Sequence, residues 1–213
     1  MTRLNRLNGK SCIFAVDNEY MDQLLTLEED IRQAVETMRK GGIILYPTDT
    51  VWGIGCDASR SDAVRKVFEL KRRADAKAMI TLVSDLAMLE RYVDEVPEVA
   101  YQLVECAVDP TTVVYDHGVG VAPELLAPDG SIGIRLTSEA YSRGLCRALR
   151  RPVVSTSANI SGSPTPQWFG EIADEILSGV DYVASYRRND REERRPSSVI
   201  KLSADGTVRI LRK

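Results

Sequence analysis

The run Gly41-Gly42-Ile43-Ile44-Leu45-Tyr46 ends in Pro47 and passes at once into Thr48-Asp49-Thr50-Val51-Trp52-Gly53-Ile54-Gly55-Cys56. Four β-favouring apolar residues predict a buried strand, and a proline, which has no N–H to donate, ends its ladder. Hydroxyls and bare backbone are left at the mouth of that strand, where ligands dock on α/β sheets. A fold with a partly polar sheet end is the constraint the rest of the chain must meet.

An amphipathic helix feeds this strand. Thr26-Leu27-Glu28-Glu29 reads as a capping box, Leu27, Ile31, Ala34, Val35 and Met38 recur at helical spacing, and Gly41-Gly42 stops the helix. Residues 1–25 are expected to form an N-terminal extension, and 26–213 one domain. Ser61 or Ser59 can cap a second helix through Val64, Val67 and Phe68, ending in Leu70-Lys71-Arg72-Arg73. Strands are predicted at Met79 to Val83, Thr111 to Tyr115, Ile132 to Leu136 and from Pro152. Helices are predicted at Ser84 to Tyr92, at Pro97 to Ala107 with proline in the first helical position, and from a Ser138 cap through Leu149.

The opening pattern then repeats: Val153-Val154 leads into Ser155-Thr156-Ser157-Ala158-Asn159-Ile160-Ser161-Gly162. A helix around Phe169 to Leu177 and a strand at Tyr182-Val183 follow. Ser198 to Leu202 and Thr207 to Leu211 flank Ala204-Asp205-Gly206, a tight antiparallel turn. Alternating β and α early with a hairpin late implies an α/β fold with a mixed sheet.

Composition narrows the chemistry. One histidine, His117, cannot build a metal site, and four scattered cysteines without C-x-x-C spacing point to neither a zinc site nor a disulfide framework. His117 reads as a turn or surface residue without a role. Catalysis therefore rests on hydroxyls, backbone amides, Lys/Arg and a ligand-borne cation. A net charge of −3 gives no global pull towards nucleic acid, and neither a signal-peptide core nor a membrane-length apolar run is present, so a cytosolic protein is expected. No P-loop pattern occurs, and Gly53-x-Gly55 is too short for a dinucleotide fingerprint.

Four constellations each carry two readings. Lys71-Arg72-Arg73 with Lys77 either complements a helix C-terminus or clamps phosphate oxygens. The Ser155 to Gly162 loop either satisfies its own backbone or binds a nucleotide or amino acid. Arg135, on an apolar strand, needs an anion, from a salt bridge or a substrate carboxylate. Tyr186 to Arg195, with five arginines, is either a solvated loop or a segment whose Arg194-Arg195 closes over phosphates.

Taken together, Tyr46-Pro47-Thr48-Asp49-Thr50-Val51-Trp52-Gly53-Ile54-Gly55, Glu69-Leu70-Lys71-x-Arg73 and Ser155-Thr156-Ser157-Ala158-Asn159-Ile160-Ser161-Gly162 resemble the YrdC/TsaC family of L-threonylcarbamoyladenylate synthases, in order and spacing across residues 26 to 212. The resemblance implies a single-domain α/β fold with a large twisted mixed sheet, flanking helices and a concave cavity. It implies a nucleotidyltransferase that converts ATP, L-threonine and bicarbonate to threonylcarbamoyl-AMP and pyrophosphate, for the t6A base of tRNA. By position, Thr50, Arg135, Ser155 and Ser197 resemble the threonine-binding set, and Arg73, Lys77, Ser131, Ser157, Thr165 and Arg212 the ATP set. Lys71, Arg73, Ser157 and Asn159 resemble the family's catalytic group, with Mg²⁺ brought by ATP and no protein metal site. The resemblance is to a short form that hands its product to a separate threonylcarbamoyl transferase complex.

Departures lie at the cavity rim. Val108-Asp109-Pro110-Thr111-Thr112 stands for a usual Pro-Gly-Pro-x-Thr, Ala78 for a common proline, and Leu82 and Glu139 for frequent histidines. A double-stranded RNA or tRNA-binding module of the same fold is the competing reading, motivated by the arginine loop. The acidic balance and the lack of stacking motifs count against it. A carbamoyl-transfer relative acting in hydrogenase maturation ranks last, because its fused acylphosphatase and zinc-finger segments are missing from this sequence.

Overall fold

The computed structural model describes residues 12–72 and 79–212, with side chains from Thr26 onward. Chain order is α1 (Cys12–Arg39), β1 (Ile44–Tyr46), β2 (Gly53–Gly55), α2 (Ser61–Leu70), β3 (Ile80–Val83), α3 (Leu86–Glu90), α4 (Glu98–Cys106), β4 (Thr111–Tyr115), β5 (Ile132–Leu136), α5 (Ala140–Leu149), β6 (Val153–Ser157), α6 (Asp174–Gly179), β7 (Tyr182–Val183), β8 (Ser198–Leu202) and β9 (Val208–Arg212). The strands form one nine-stranded sheet in the order β7-β1-β2-β6-β3-β5-β4-β8-β9. Pairs β1/β7, β3/β5 and β4/β8 are parallel and the others antiparallel, so the sheet is mixed as expected. Among the described residues no helix is long and apolar enough to cross a membrane.

Ile44, Leu45 and Tyr46 are fully buried, which explains why β1 is apolar without alternation. α5 buries Tyr141, Leu145, Cys146 and Leu149, and α2 buries Ala63, Val64 and Val67, the positions that helical periodicity selects. Each fully buried aliphatic or aromatic side chain of this kind contributes about 1.5–3 kcal/mol.

Register decides which side chains share a face. Gly53 pairs with Ser157, Ile80 with Ser155, Leu82 and Thr112 with Arg135, and Thr112 with Val199. Directly paired residues project to the same side of a sheet. Ser155, Ser157, Arg135 and Thr112 therefore stand on one face, with glycine rather than bulk beside Ser157.

Several boundaries differ from the sequence expectation. α1 runs through Thr26, so the capping box there starts no helix, and the helix crosses the boundary expected at residue 25. Neither Ser59 nor Ser61 caps α2: Arg60 holds the cap position without a side-chain bond, and Ser59 is drawn to Asp57 by bonds from its N and Oγ to Oδ1 at 2.9 and 2.7 Å. Glu139, not Ser138, caps α5, since its carboxylate reaches Tyr141 N at 3.1 Å and Ser142 N at 2.8 Å, a charged acceptor at the positive helix end. Pro97 sits one position before α4. The expected helix at Phe169 to Leu177 splits into a 3₁₀ turn, Phe169–Glu171, and α6, because Ile172 and Ala173 run extended and Ile172 is buried. β6 continues through Ser157, which puts Ser155 to Ser157 on a strand instead of in a loop.

Candidate functional site

The mouth of β1 is tied by its own hydroxyls. Thr48 Oγ1 donates to Val51 O at 2.7 Å and accepts from Thr50 N at 3.0 Å. Its single proton is then used, so the 3.0 Å contact between the two hydroxyls is a donation from Thr50 to Thr48. The lone pairs of Thr50 Oγ1 are left for other donors, and Arg135 Nη2 lies 3.5 Å away.

Arg135 is 2% exposed, near the C-terminal end of β5. Its Nη2 meets Asp49 Oδ1 at 2.8 Å, which makes Asp49 the anion its position demanded. Burial pushes the Asp49 carboxyl above its ordinary range, and the guanidinium opposes that push without cancelling it. Asp49, in the turn after β1, thus belongs to a buried ion pair. The need for an anion was readable in the sequence, but the partner was not.

A cavity of about 250 Å³ opens beside this pair on the polar face of the sheet. All four residues of the expected threonine set, Thr50, Arg135, Ser155 and Ser197, line it. Ser157, Thr165 and Arg212 of the expected ATP set line it too. Ser197 Oγ is 2.8 Å from Thr112 Oγ1, and its carbonyl accepts from Arg212 Nε at 3.1 Å and Nη2 at 2.8 Å, so β9 is latched to the segment preceding β8. Trp52, Met79, Ile80 and Pro196 supply apolar wall that the polar motifs did not announce. Trp52 is backed by Phe169 at 5.0 Å between ring centroids, with the Arg188 guanidinium 5.1 Å from that second ring.

Other expected residues take different positions. Ser131 does not line the cavity: its N and Oγ bond to Asp129 Oδ1 at 3.0 and 2.6 Å and close the turn before β5. Lys71, 2% exposed, donates from Nζ to the carbonyls of Ser157 at 2.5 Å and Asn159 at 2.6 Å, while its own carbonyl accepts from Ser161 N. It ties the end of α2 to the loop after β6. Asn159 stiffens the same loop from Nδ2 to Ile160 O and Ser163 O, at 3.0 and 2.7 Å. Arg73 and Lys77, with Ala78, lie outside the described residues. His117 contributes its carbonyl to Asp94 N in a turn.

The arginine loop is not solvated throughout. Arg187 and Arg194 are 17% and 24% exposed, and their partners are carboxylates: Asp190 and Glu139 for Arg187, Asp190 and Glu192 for Arg194. Residues 185–197 form a strap that packs on the Pro47 to Trp52 turn and delivers Ser197 to the cavity. Carboxylates thus neutralise Arg187 and Arg194, two of the loop's five arginines. Among the described residues, no cluster of three or more His, Cys, Asp or Glu is placed to hold a metal ion.

The sequence and fold are similar to those of known proteins. A "Threonylcarbamoyl-AMP synthase" of Stenotrophomonas maltophilia (strain K279a) is 36% identical over 157 residues, covering 72% of this chain and 84% of the relative. One of the same name from Cellvibrio japonicus (strain Ueda107) is 34% identical over 178 residues, with 79% and 92% covered. Among solved structures, E. coli YciO superposes with a TM-score of 0.75 at 30% identity, over 87% of this chain and 89% of that one. P. abyssi Sua5 complexed with L-threonine gives 0.75 at 28% identity, over 87% of this chain and 54% of that one, so this chain spans about half of its length. With the Sua5/YciO/YrdC family profile, described as "Telomere recombination", matching residues 36–213, the chain belongs to that family.

Proposed function

We propose that the protein joins L-threonine, bicarbonate and ATP into threonylcarbamoyl-AMP and pyrophosphate, the first step towards t6A in tRNA. The observation that carries this reading is the buried Arg135 on a cavity wall ringed by the hydroxyls of Thr50, Ser155 and Ser197. A guanidinium there takes the carboxylate of an amino acid, and three hydroxyls can hold its remaining polar groups. The synthase name of the bacterial relatives and the threonine complex of P. abyssi Sua5 support it.

The chemistry suits the residues. Threonine's amine takes up CO2 from bicarbonate, with loss of water, and becomes an N-carboxylate. One of its oxygens bonds to the α-phosphorus of ATP, the bond from that phosphorus to the bridging oxygen breaks, and the electron pair leaves with pyrophosphate. Because the nucleophile is already an anion, the phosphoryl step needs orientation and charge stabilisation more than a protein base. Ser157, Thr165 and Arg212 face the cavity where the phosphates would lie, and Lys71 and Asn159 fix the loop that follows Ser157. Arg73 and Lys77 complete the reading as phosphate ligands, Ser131 acts from the turn before β5, and Mg²⁺ enters as the magnesium complex of ATP. The product then passes to a cytoplasmic threonylcarbamoyl transferase system.

Incubation of the pure protein with MgATP and bicarbonate, with and without L-threonine, tests this by mass spectrometry of the adenylate and assay of pyrophosphate. Threonine-dependent formation of both is expected. Pyrophosphate release indifferent to threonine, or none at all, would sink the reading.

A further inference from the structure

We infer that Arg187 is a positioning residue that fixes the threonine-binding half of the cavity by locking together the three segments that supply Thr50, Arg135 and Ser197. The inference rests on the synthase reading and goes beyond it, because Arg187 itself does not line the cavity. Its guanidinium makes three kinds of contact. Nη1 donates to Thr48 O at 3.1 Å, two residues before Thr50. Nη1 also lies 3.5 Å from Glu139 Oε1, four residues after Arg135, on the carboxylate that caps α5. Nε and Nη2 meet Asp190 Oδ2 at 2.9 and 2.7 Å, inside the strap that ends at Ser197. Each contact fastens a different carrier of a substrate-facing side chain.

The backbone at Arg187 indicates how much this placement is worth. Its φ is +60°, the left-handed region that a residue with a long side chain rarely adopts. Such a conformation persists where the surroundings over-determine it. Here the residue before it is pinned: Tyr186 N donates to Asp30 Oδ2 at 2.7 Å, and Ser185 N to the same oxygen at 2.8 Å, so α1 holds the entry to the strap. Glycine would adopt this φ freely but would carry no guanidinium. The pairing also gives a use to Glu139, one of the residues at which the chain departs from the family pattern. Ser157 and Thr165 of the nucleotide side lie on segments that Arg187 does not touch.

Glycine at this position separates backbone strain from positioning. L-Threonine and ATP are titrated calorimetrically into wild type, Arg187→Gly and Arg187→Lys, and each protein is melted without ligand. Arg187→Gly is expected to melt below the wild-type temperature, because relief at φ +60° offsets only part of the lost charged hydrogen bonds, and to bind threonine about tenfold or more weakly while ATP affinity stays within about twofold. Arg187→Lys, whose ammonium cannot span all three partners, is expected to fall between. Threonine affinity equal to wild type in both variants overturns the inference. So does an equal loss for both ligands, the mark of a merely structural residue. If Arg187→Gly does not fold, Arg187→Lys decides by the same criteria. A wild type that binds no threonine overturns the synthase reading itself, an outcome distinct from variants that match a binding wild type.

Discussion

Arg135 and Asp49 illustrate how a functional charge is kept inside a protein. Two opposed effects act on the pair: removing both groups from water is costly, and their attraction at 2.8 Å offsets part of that cost. The raised carboxyl of Asp49 says that burial outweighs attraction on that side. An acid whose value is raised on folding holds its proton more tightly in the folded chain. Its contribution is fully present below its ordinary value of 3.8 and is lost as the pH rises through the folded value. The Asp49 side chain therefore serves to hold Arg135 more than to stabilise the fold near neutral pH. Asp49→Asn should accordingly unfold in urea at a midpoint no lower than wild type at neutral pH, with the two midpoints converging as the pH falls towards about 4. Threonine binding should weaken in the same variant. A variant markedly less stable at neutral pH would show that the ion pair supports the fold. At this scale the sequence was legible in kind but not in partner: an arginine among apolar strand residues announces an anion, yet only the fold brings Asp49 to it.

Strands and helices were more legible than their ends. β4 and β5 lie where β-branched and apolar runs placed them, because burial on both faces leaves little choice. Caps were misread because neighbouring side chains compete for the same amides, and the longer, charged Glu139 wins over Ser138. The β1–β2 pair shows a demand that reading along one strand hides. Tyr46 Oη donates to Val154 O at 3.0 Å across the intervening strand, and a Cβ at Gly55 would stand 2.2 Å from that oxygen and 2.7 Å from the Tyr46 ring. The glycine that looked like part of a loop signature is thus a packing requirement of β2. Gly55→Ala should destabilise the protein by about 3 kcal/mol, the upper part of the range for overpacked cores. Equilibrium denaturation checks this, and a loss below about 1 kcal/mol would mean that the two strands separate more easily than their packing implies.

Across the whole molecule, the cavity has no single owner. Thr50 comes from the turn after β1, Arg135 from β5, Ser155 and Ser157 from β6, Ser197 from the strap and Arg212 from β9, so the site exists only when distant parts of the chain are assembled. Each hydroxyl-rich motif was visible locally, whereas their common face depends on register: one residue of slip would turn Ser155 and Arg135 away from the cavity. The same dependence links binding to folding. A ligand that touches all these segments binds the folded chain and has no comparable site on the unfolded one, so its binding energy adds to the stability of the molecule as a whole. At a hundredfold excess over its dissociation constant, one site contributes about 2.7 kcal/mol, which for a chain of this size raises the melting temperature by about 5–10 °C. Calorimetry with saturating L-threonine should show that shift as a single, undivided transition. Two transitions, of which only one moves, would mean that the segments around the cavity unfold apart from the rest, and the strap and β9 would then be the parts to test for independent opening.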